Sequence, residues 1–145
     1  WREKWEKTDW QVADFDDFIR DQNECNAFNK AGNDLTAMLL RQHKGEIGSW
    51  SIRFCYAGFK HGEPTVYPIK SLIKNGGADG SGTNVNKTHR YESKTVDYID
   101  AKAFINDKSI DERILKSFRK TYNCSLFRQT INMLKRWQYI AGIKS

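Results

Sequence analysis

Residues 50–84 read WSIRFCYAGFKHGEPTVYPIKSLIKNGGADGSGTN, and this stretch decides which fold the chain is expected to have. Its first part has a helical pattern, because Trp50 and Phe54 stand one helical turn apart. Gly62 then supplies a residue type that commonly ends a helix. The remainder has no helical period. We therefore expect a helix over about residues 49–60, followed by a non-helical segment.

Residues 65–75 indicate a short β-segment or hairpin. The run 65–67, Thr-Val-Tyr, consists of residue types that are common in strands. Pro68 ends this run or places it at a sheet edge, because proline cannot donate a ladder hydrogen bond. A second short extended segment is expected at residues 71–75.

Residues 76–84, GGADGSGTN, form a glycine-rich loop. Ordering several glycines costs backbone entropy, so an ordered loop of this composition indicates a use for its exposed N–H groups. Holding an anion is one such use. A plain surface turn has the same composition, and both interpretations stay open.

Helices are expected on both sides of this stretch. A cap at Asp9 predicts a helix over residues 10–20, in which Phe15, Phe18 and Ile19 lie in the core. A second helix begins near residue 34 with an apolar run, and the last two helices are expected over residues 110–118 and 125–141. These patterns together predict a helix-rich α+β fold with amphipathic C-terminal helices.

No metal site is predicted. Asp14, Asp16 and Asp17 lie near a predicted helix start, where the helix dipole favours anions, and this accounts for their clustering. The three cysteines are odd in number and widely spaced, and no histidine stands near one at metal-ligand spacing. Reduced thiols of this kind are typical of cytosolic proteins.

The positive charge is confined to the C-terminal part of the chain. The net charge is +6, yet residues 1–109 carry 16 basic and 16 acidic residues, and residues 110–145 carry eight basic and two acidic ones. We therefore predict two parts, a neutral body over residues 1–109 and a basic amphipathic helical tail over residues 110–145. The neutral body and the lack of a recognised nucleic-acid motif argue against a nucleic-acid partner.

The last predicted helix has one apolar and one basic half. Its apolar half includes Phe127, Leu134 and Trp137, and its polar half includes the basic residues Arg128, Lys135 and Arg136. Three interpretations stay open for residues 125–141: packing on the chain's own domain, peripheral attachment to a membrane, and binding to a partner or a second copy.

Three segments occur in a fixed order: residues 48–54 (GSWSIRF), residues 66–72 (VYPIKSL) and residues 75–84 (NGGADGSGTN). Together they resemble the C-terminal part of bacterial glycosyltransferases with the A-type (GT-A) fold that build surface polysaccharides. Those enzymes show a tryptophan helix, then a strand ending in Tyr-Pro, then an Asp-Gly-Ser-Gly-Thr-His loop. They are distantly similar to the Golgi N-acetylglucosaminyltransferase that acts on N-glycans. The resemblance covers about residues 1–90.

The resemblance implies transfer of a sugar from a nucleotide-sugar donor to a glycan or lipid-linked acceptor. Residues 1–109 would be the acceptor-side part of the catalytic domain. The chain begins at Trp1 and lacks the nucleotide-binding half, so it is expected to be a fragment that is inactive alone. The parent would be the enzyme, with Mg²⁺ or Mn²⁺ as the cation. Its expected location is the cytoplasm, or the inner face of the membrane as a peripheral protein.

The resemblance also implies a set of substrate-binding residues: Trp50, Ser51, Arg53, Asp79, Ser81, Thr83 and Asn84. Trp50 would be a platform for a sugar ring or a core anchor. Arg53 would hold a phosphate or carboxylate, or be a solvated or paired arginine. Residues 79–84 would close over the donor as a flexible loop. Because Asn84 stands where many relatives have histidine, it is not assigned as a metal ligand.

The catalytic base is not identified. Relatives carry an acidic residue at the position of Ser51, where a carboxylate takes the acceptor proton, and serine cannot serve as that base. Glu46 and Asp79 are the remaining candidates from the sequence, unless the chain is catalytically altered. The alternative function is a non-enzymatic binding module whose basic tail contacts nucleic acid, a membrane surface or a partner protein.

Overall fold

The computed structural model describes residues 2–67, 71, 73, 76–81, 87, 89 and 109–143. Contacts divide the chain into two units, one of residues 1–64 with 110–145 and one of residues 65–109. In the described residues, seven α-helices belong to the first unit: α1 (Arg2–Glu6), α2 (Phe15–Arg20), α3 (Gln22–Phe28), α4 (Leu35–His43), α5 (Trp50–Lys60), α6 (Glu112–Tyr122) and α7 (Leu126–Ile140). The prediction of a helix-rich chain is confirmed. The predicted division into an acceptor-side body and a tail stays a prediction.

The core of the first unit is built by α2, α3, α4 and α5. Phe18 lies at its centre, with its ring centroid 4.8 Å from that of Tyr56 and 5.7 Å from that of Phe28. The buried hydrophobic residues are Val12, Phe15, Phe18, Ile19, Cys25, Phe28, Leu39, Leu40, Ile52 and Tyr56. The prediction that the aromatic positions of α2 are core residues is therefore confirmed.

Helix α2 begins later than the sequence predicted. The carboxylate of Asp9 accepts hydrogen bonds from the N–H groups of Gln11 (2.9 Å) and Ala13 (2.7 Å) and closes a turn instead of capping a helix. Val12 follows within this turn with a φ of 54°, which a right-handed helix does not allow. The helix therefore starts only at Phe15, and the prediction of a helix over residues 10–20 is wrong at its N-terminus.

Helix α5 begins and ends where the sequence predicted. The Ser49 hydroxyl accepts the N–H of Ile52 at 3.4 Å as the N-cap, and Gly62 with a φ of 63° follows the last turn. The face that enters the core carries Ile52 and Tyr56. The face that carries Trp50 lies outside the core, and Trp50 is 52% exposed.

Helix α7 contacts the rest of the first unit through its polar side. Arg136 Nε donates a hydrogen bond to the carbonyl of Ile19 at 2.8 Å, and the Tyr139 hydroxyl donates to the carboxylate of Asp16 at 2.9 Å. The side-chain amide of Asn33, which precedes α4, holds the residues before α7. It donates a hydrogen bond to the carbonyl of Cys124 and accepts one from the N–H of Cys124. The tail helix therefore packs on its own unit, and it does so with its polar half.

The apolar side of α7 faces outward. We call this surface the outer face of α7, and it consists of Leu126, Phe127, Met133, Leu134 and Trp137. Their exposed fractions lie between 56% for Leu134 and 81% for Leu126. At about 100° per residue these five positions fall on one continuous arc of the helix. The arrangement is the reverse of what amphipathic helices in globular proteins usually show.

The second unit has no strand in its described residues. Val66 is 81% exposed and Tyr67 55% exposed, so neither side chain lies in a core, and residues 65–67 form no strand. Apart from a single bridge position at Ser71, the β-segment predicted near residues 65–75 is therefore not found in the part that the structure describes. The glycine-rich loop contains a 3₁₀ turn, Gly76–Asp79.

None of the helices described here has both the length and the apolar character needed to cross a membrane.

The three cysteines, Cys25, Cys55 and Cys124, are free thiols. Burial raises the pKa of the Cys25 thiol, which keeps it protonated beside the carbonyl of Phe18.

Raising the pH above 10 is expected to destabilise the first unit through Tyr56. Burial and then the hydrogen bond to Asp14 (2.9 Å) raise the pKa of this phenol above its ordinary value of 10.0. Hydrogen bonds from Lys60 to Glu24 and Asp14 likewise raise the pKa of Lys60 above 10.5. Because both groups hold their protons more tightly in the folded state, their stabilisation is complete below pH 10 and is lost as the pH rises.

Unfolding in urea between about pH 8 and pH 11 measures this dependence. Tyr56→Phe should cost about 1 kcal/mol at the lower pH and show a smaller loss on the alkaline side. The control is Tyr67→Phe, at an exposed tyrosine of the second unit. An alkaline loss in Tyr56→Phe as steep as in the unaltered chain would contradict the role of Tyr56.

Candidate functional site

An open recess of about 230 Å³ lies on the first unit, where the turn before α2 meets the C-terminal end of α4 and the N-terminal half of α5. Its polar lining consists of Arg53, His43, Gln42 and Gln11. Its apolar lining consists of Trp10, Val12, Phe15 and Leu39. Phe15 and Leu39 are each 1% exposed, so the surface that the recess presents is mostly polar. Such a lining can hold a polar ligand.

Arg53 is the cation of this recess, and it is held by the backbone and by an aromatic ring. Its Nη1 donates a hydrogen bond to the carbonyl of Trp10 at 3.0 Å, and its guanidinium carbon lies 5.7 Å from the centre of the Trp10 ring. Its Nε is buried and has no hydrogen-bond partner. The part of the guanidinium that lines the recess can donate to a ligand oxygen that carries negative charge.

Val12 adds local strain beside Arg53. A branched side chain at a φ of 54° is rare, because its Cβ substituents crowd the backbone. Strain of this kind costs about 1–3 kcal/mol and is concentrated at functional sites in folded proteins. Val12 is buried and lines the recess, so the strained turn is part of the wall.

An aromatic platform adjoins the recess, and we define it as Trp5, Trp10, Trp50 and Phe54. The ring centroids of Trp5 lie 4.3 Å from Trp10 and 5.6 Å from Trp50. Trp50 is 52% exposed. Because Trp10 belongs both to the platform and to the recess, the two form one continuous surface. The flat faces of such rings suit the apolar face of a sugar ring.

His43 lies at the edge of the recess in a chain of hydrogen bonds. Its ring stacks on Phe15 with centroids 4.0 Å apart, and its Nε2 lies 3.1 Å from the Tyr139 hydroxyl. Because that hydroxyl gives its proton to Asp16, its oxygen accepts from Nε2–H, which leaves Nδ1 as the accepting nitrogen. Burial and the Asp16 bond raise the pKa of Tyr139, so the phenol stays protonated. An imidazole placed in this way can accept a proton from a bound hydroxyl.

The structure brings two of the predicted site residues, Trp50 and Arg53, to this surface. Ser51 lies next to Trp50 on α5, but its hydroxyl is exposed and lies 3.0 Å from the hydroxyl of Ser49. It does not line the recess. Ser51 therefore has the geometry of a helix N-terminal residue, and its predicted role in substrate binding stays a prediction.

Glu46 lies away from the recess. Its carboxylate forms ion pairs with Lys44 (3.0 Å) and Arg41 (3.6 Å), and it lines a crevice of about 10 Å³ against α7. The hydrogen bond from Lys44 lowers the pKa of Glu46. A carboxylate with a lowered pKa is a weaker base, so this environment does not favour the catalytic role predicted for it.

Asp79 and Ser81 belong to the second unit and contact each other. The Asp79 carboxylate accepts hydrogen bonds from the hydroxyl (2.6 Å) and the N–H (2.8 Å) of Ser81, and these bonds lower its pKa. Gly80, between them, has a φ of 105°, which favours glycine. Thr83 and Asn84 lie outside the described residues.

The sequence did not single out the residues that complete the recess: Trp10, Gln11, Val12, Gln42 and His43. The last two end α4 on the turn after its apolar run, where polar residues usually mean solvent exposure. Trp10 and Gln11 were predicted as the start of a helix. The turn around Val12 brings them to Arg53, and nothing in the residue pattern signals a positive φ at a valine.

In the described part of the chain, no three His, Cys, Asp or Glu side chains come together as a metal site. No protein-family model matches the chain, and no curated protein or solved structure matches it either. The geometry of the first unit is therefore the structural basis for a functional proposal.

Proposed function

We propose that the chain is the acceptor-side part of a GT-A glycosyltransferase that transfers a sugar from a nucleotide-sugar donor to a glycan or lipid-linked acceptor. One observation supports this most strongly: Arg53 joins an exposed tryptophan platform to a polar recess. The order of three sequence segments that resemble such enzymes supports it independently. Both lines of support meet at Trp50 and Arg53.

The acceptor would bind with a sugar ring on Trp50 and its hydroxyl groups toward the recess. Gln11 and Gln42 offer amide donors and acceptors, and Arg53 offers donors only. Arg53 would therefore hold an acceptor oxygen that carries negative charge, such as a phosphate or carboxylate.

The proton of the acceptor hydroxyl needs a base. Ser51 cannot take it, and the pKa of both Glu46 and Asp79 is lowered by their hydrogen-bond partners. Within this proposal His43 is a further candidate, because it lines the recess and its Nδ1 is able to accept a proton. The nucleotide-binding half, Mg²⁺ or Mn²⁺, and action in the cytoplasm or at the inner membrane face are proposed for the parent protein.

Trp50→Ala is expected to weaken saccharide binding by this chain about tenfold or more. Methyl glycosides of glucose, galactose and N-acetylglucosamine are titrated into the isotope-labelled chain, and the indole N–H signals are followed by NMR. The signal of Trp50 should shift in the unaltered chain, and affinity should fall about tenfold or more without the ring, since loss of its buried area costs more than about 1.4 kcal/mol.

The matched control is Trp137→Ala, which removes an equally exposed tryptophan from α7. It should leave the titration unchanged. Saccharide-induced shifts confined to residues outside the platform and recess would contradict the proposed site. Equal affinities of the Trp50→Ala chain and the unaltered chain would do the same.

The alternative function is a non-enzymatic binding module that uses its basic tail. The exposed outer face of α7 favours this alternative, because an amphipathic helix with an uncovered apolar side is typical of binding segments. A mobility shift of nucleic acid that weakens steeply with salt would favour a nucleic-acid partner. Saccharide-dependent shifts at Trp50 would favour the transferase.

A further inference from the structure

The outer face of α7 is an apolar surface that the first unit does not cover. Leu126 and Phe127 are 81% and 78% exposed, and Trp137 is 62% exposed. Contiguous apolar patches of this kind are uncommon on monomeric proteins and usually mark an interaction site. The helix is held in place by Arg136 and Tyr139 on its opposite side. The outward orientation is therefore fixed by specific hydrogen bonds.

Charge indicates what covers this face. The excess of basic residues is confined to residues 110–145, whereas residues 1–109 are neutral overall. On α7, Arg128 and Lys135 are exposed and lie about 80–100° beyond the edge of the outer face, on the flank next to Tyr139, where Lys135 also lines the crevice that holds Glu46. A long basic side chain on such a flank can extend along apolar surface and still place its charged end in polar surroundings.

A second copy of the chain fits this charge pattern poorly. Two outer faces brought together would offer few acidic partners to the cations of either copy, because residues 110–145 carry eight basic and two acidic residues. An anionic bilayer surface has no such shortage, because it offers an apolar layer beneath a layer of negative headgroups. Trp137 suits the boundary between the two layers, since its ring is apolar and its N–H is polar.

We propose that α7 attaches the chain peripherally to an anionic lipid bilayer, with its outer face in the interfacial layer and its basic residues at the headgroups. Exposed basic residues of α6, Lys116 and Lys120, add to the attraction. The attachment does not depend on saccharide binding.

Co-sedimentation of the full chain with lipid vesicles tests this proposal. The unaltered chain should pellet with vesicles of phosphatidylglycerol and phosphatidylcholine, and much less with phosphatidylcholine alone. Leu134→Asp should lower the partition coefficient at least about tenfold, because an apolar side chain that leaves water is replaced by an anion. Replacing Arg128 and Lys135 by glutamine should lower it about fivefold for each charge removed.

The matched control is Ile73→Asp, which places the same charge at an exposed apolar residue of the second unit. It should pellet as the unaltered chain does. Because Leu134 is exposed, Leu134→Asp should also keep its thermal midpoint, which separates loss of binding from loss of folding.

Equal pelleting of the Leu134→Asp chain and the unaltered chain would overturn the proposal. Failure of the unaltered chain to bind anionic vesicles would also overturn it. A dimer in light scattering that Leu134→Asp converts to a monomer would assign the outer face to a second copy instead.

Discussion

Phe18→Ala is expected to lower the free energy of unfolding by about 3–5 kcal/mol, the largest stability effect of any single substitution considered for this chain. Phe18 is 1% exposed and lies between the rings of Phe28 and Tyr56, both in edge-to-face contact with it. Its removal leaves a cavity that is lined by residues of α2, α3 and α5. Because Phe18 contacts rings of both α3 and α5, its loss weakens the packing of all three helices.

Urea unfolding followed by circular dichroism measures the effect of Phe18→Ala. The control is Phe127→Ala on α7, where the same ring is 78% exposed and its loss should change the free energy of unfolding by no more than about 0.5 kcal/mol. Similar losses at the two positions would mean that the core is not organised around α2, α3 and α5.

Arg53→Ala in the full-length gene product is expected to lower kcat/KM for sugar transfer by about 10–150-fold. A hydrogen bond to a charged group contributes about 1.5–3 kcal/mol, and Arg53 is the cation that lines the recess. The substitution also removes the contact with the Trp10 carbonyl, so the shape of the platform would change with it. Both effects act on acceptor binding.

Steady-state kinetics at varied acceptor concentration separate an effect on KM from an effect on kcat. Arg53→Lys keeps the charge but loses the planar fork, and it should recover only part of the activity. The control is Arg113→Ala, which removes an exposed arginine whose partner is the nearby Asp111. If Arg53→Ala and Arg113→Ala had the same kcat/KM as the unaltered product, Arg53 would have no part in acceptor binding.

The helices could be predicted from the sequence where local signals agree. Ser49 and Gly62 mark the two ends of α5, and Ser125 marks the start of α7. The start of α2 was missed because its position depends on a strained turn at Val12. Such a turn is stabilised by tertiary contacts, here by burial of the Val12 side chain, and not by the propensities of its residues.

The orientation of α7 could not be predicted from its amphipathic pattern. The pattern gives the two faces but not which of them meets the protein, and the usual assumption is that the apolar one does. In this chain Arg136 and Tyr139 find a carbonyl and a carboxylate on α2, and these bonds decide the orientation. The partners are more than a hundred residues away in sequence, beyond the reach of any local pattern.

The residues of the candidate site could likewise be predicted only in part. Trp50 and Arg53 could be named in advance because their segment resembles the tryptophan helix of the glycosyltransferases. His43, Gln42 and Trp10 could not, because they come from separate segments that meet only in the folded first unit. Glu46 was named as a base for its residue type, but its ion pairs with Lys44 and Arg41 keep it elsewhere.

The most direct test of the proposed function is a sugar-transfer assay on the full-length gene product with a panel of nucleotide sugars and saccharide acceptors. Mass spectrometry follows the gain of one sugar by the acceptor. We expect time-dependent transfer from at least one donor, with strong loss in Arg53→Ala and none in Arg113→Ala. A folded product that transfers no sugar from any donor, and that shifts nucleic acid in a steeply salt-dependent way, would contradict the glycosyltransferase assignment.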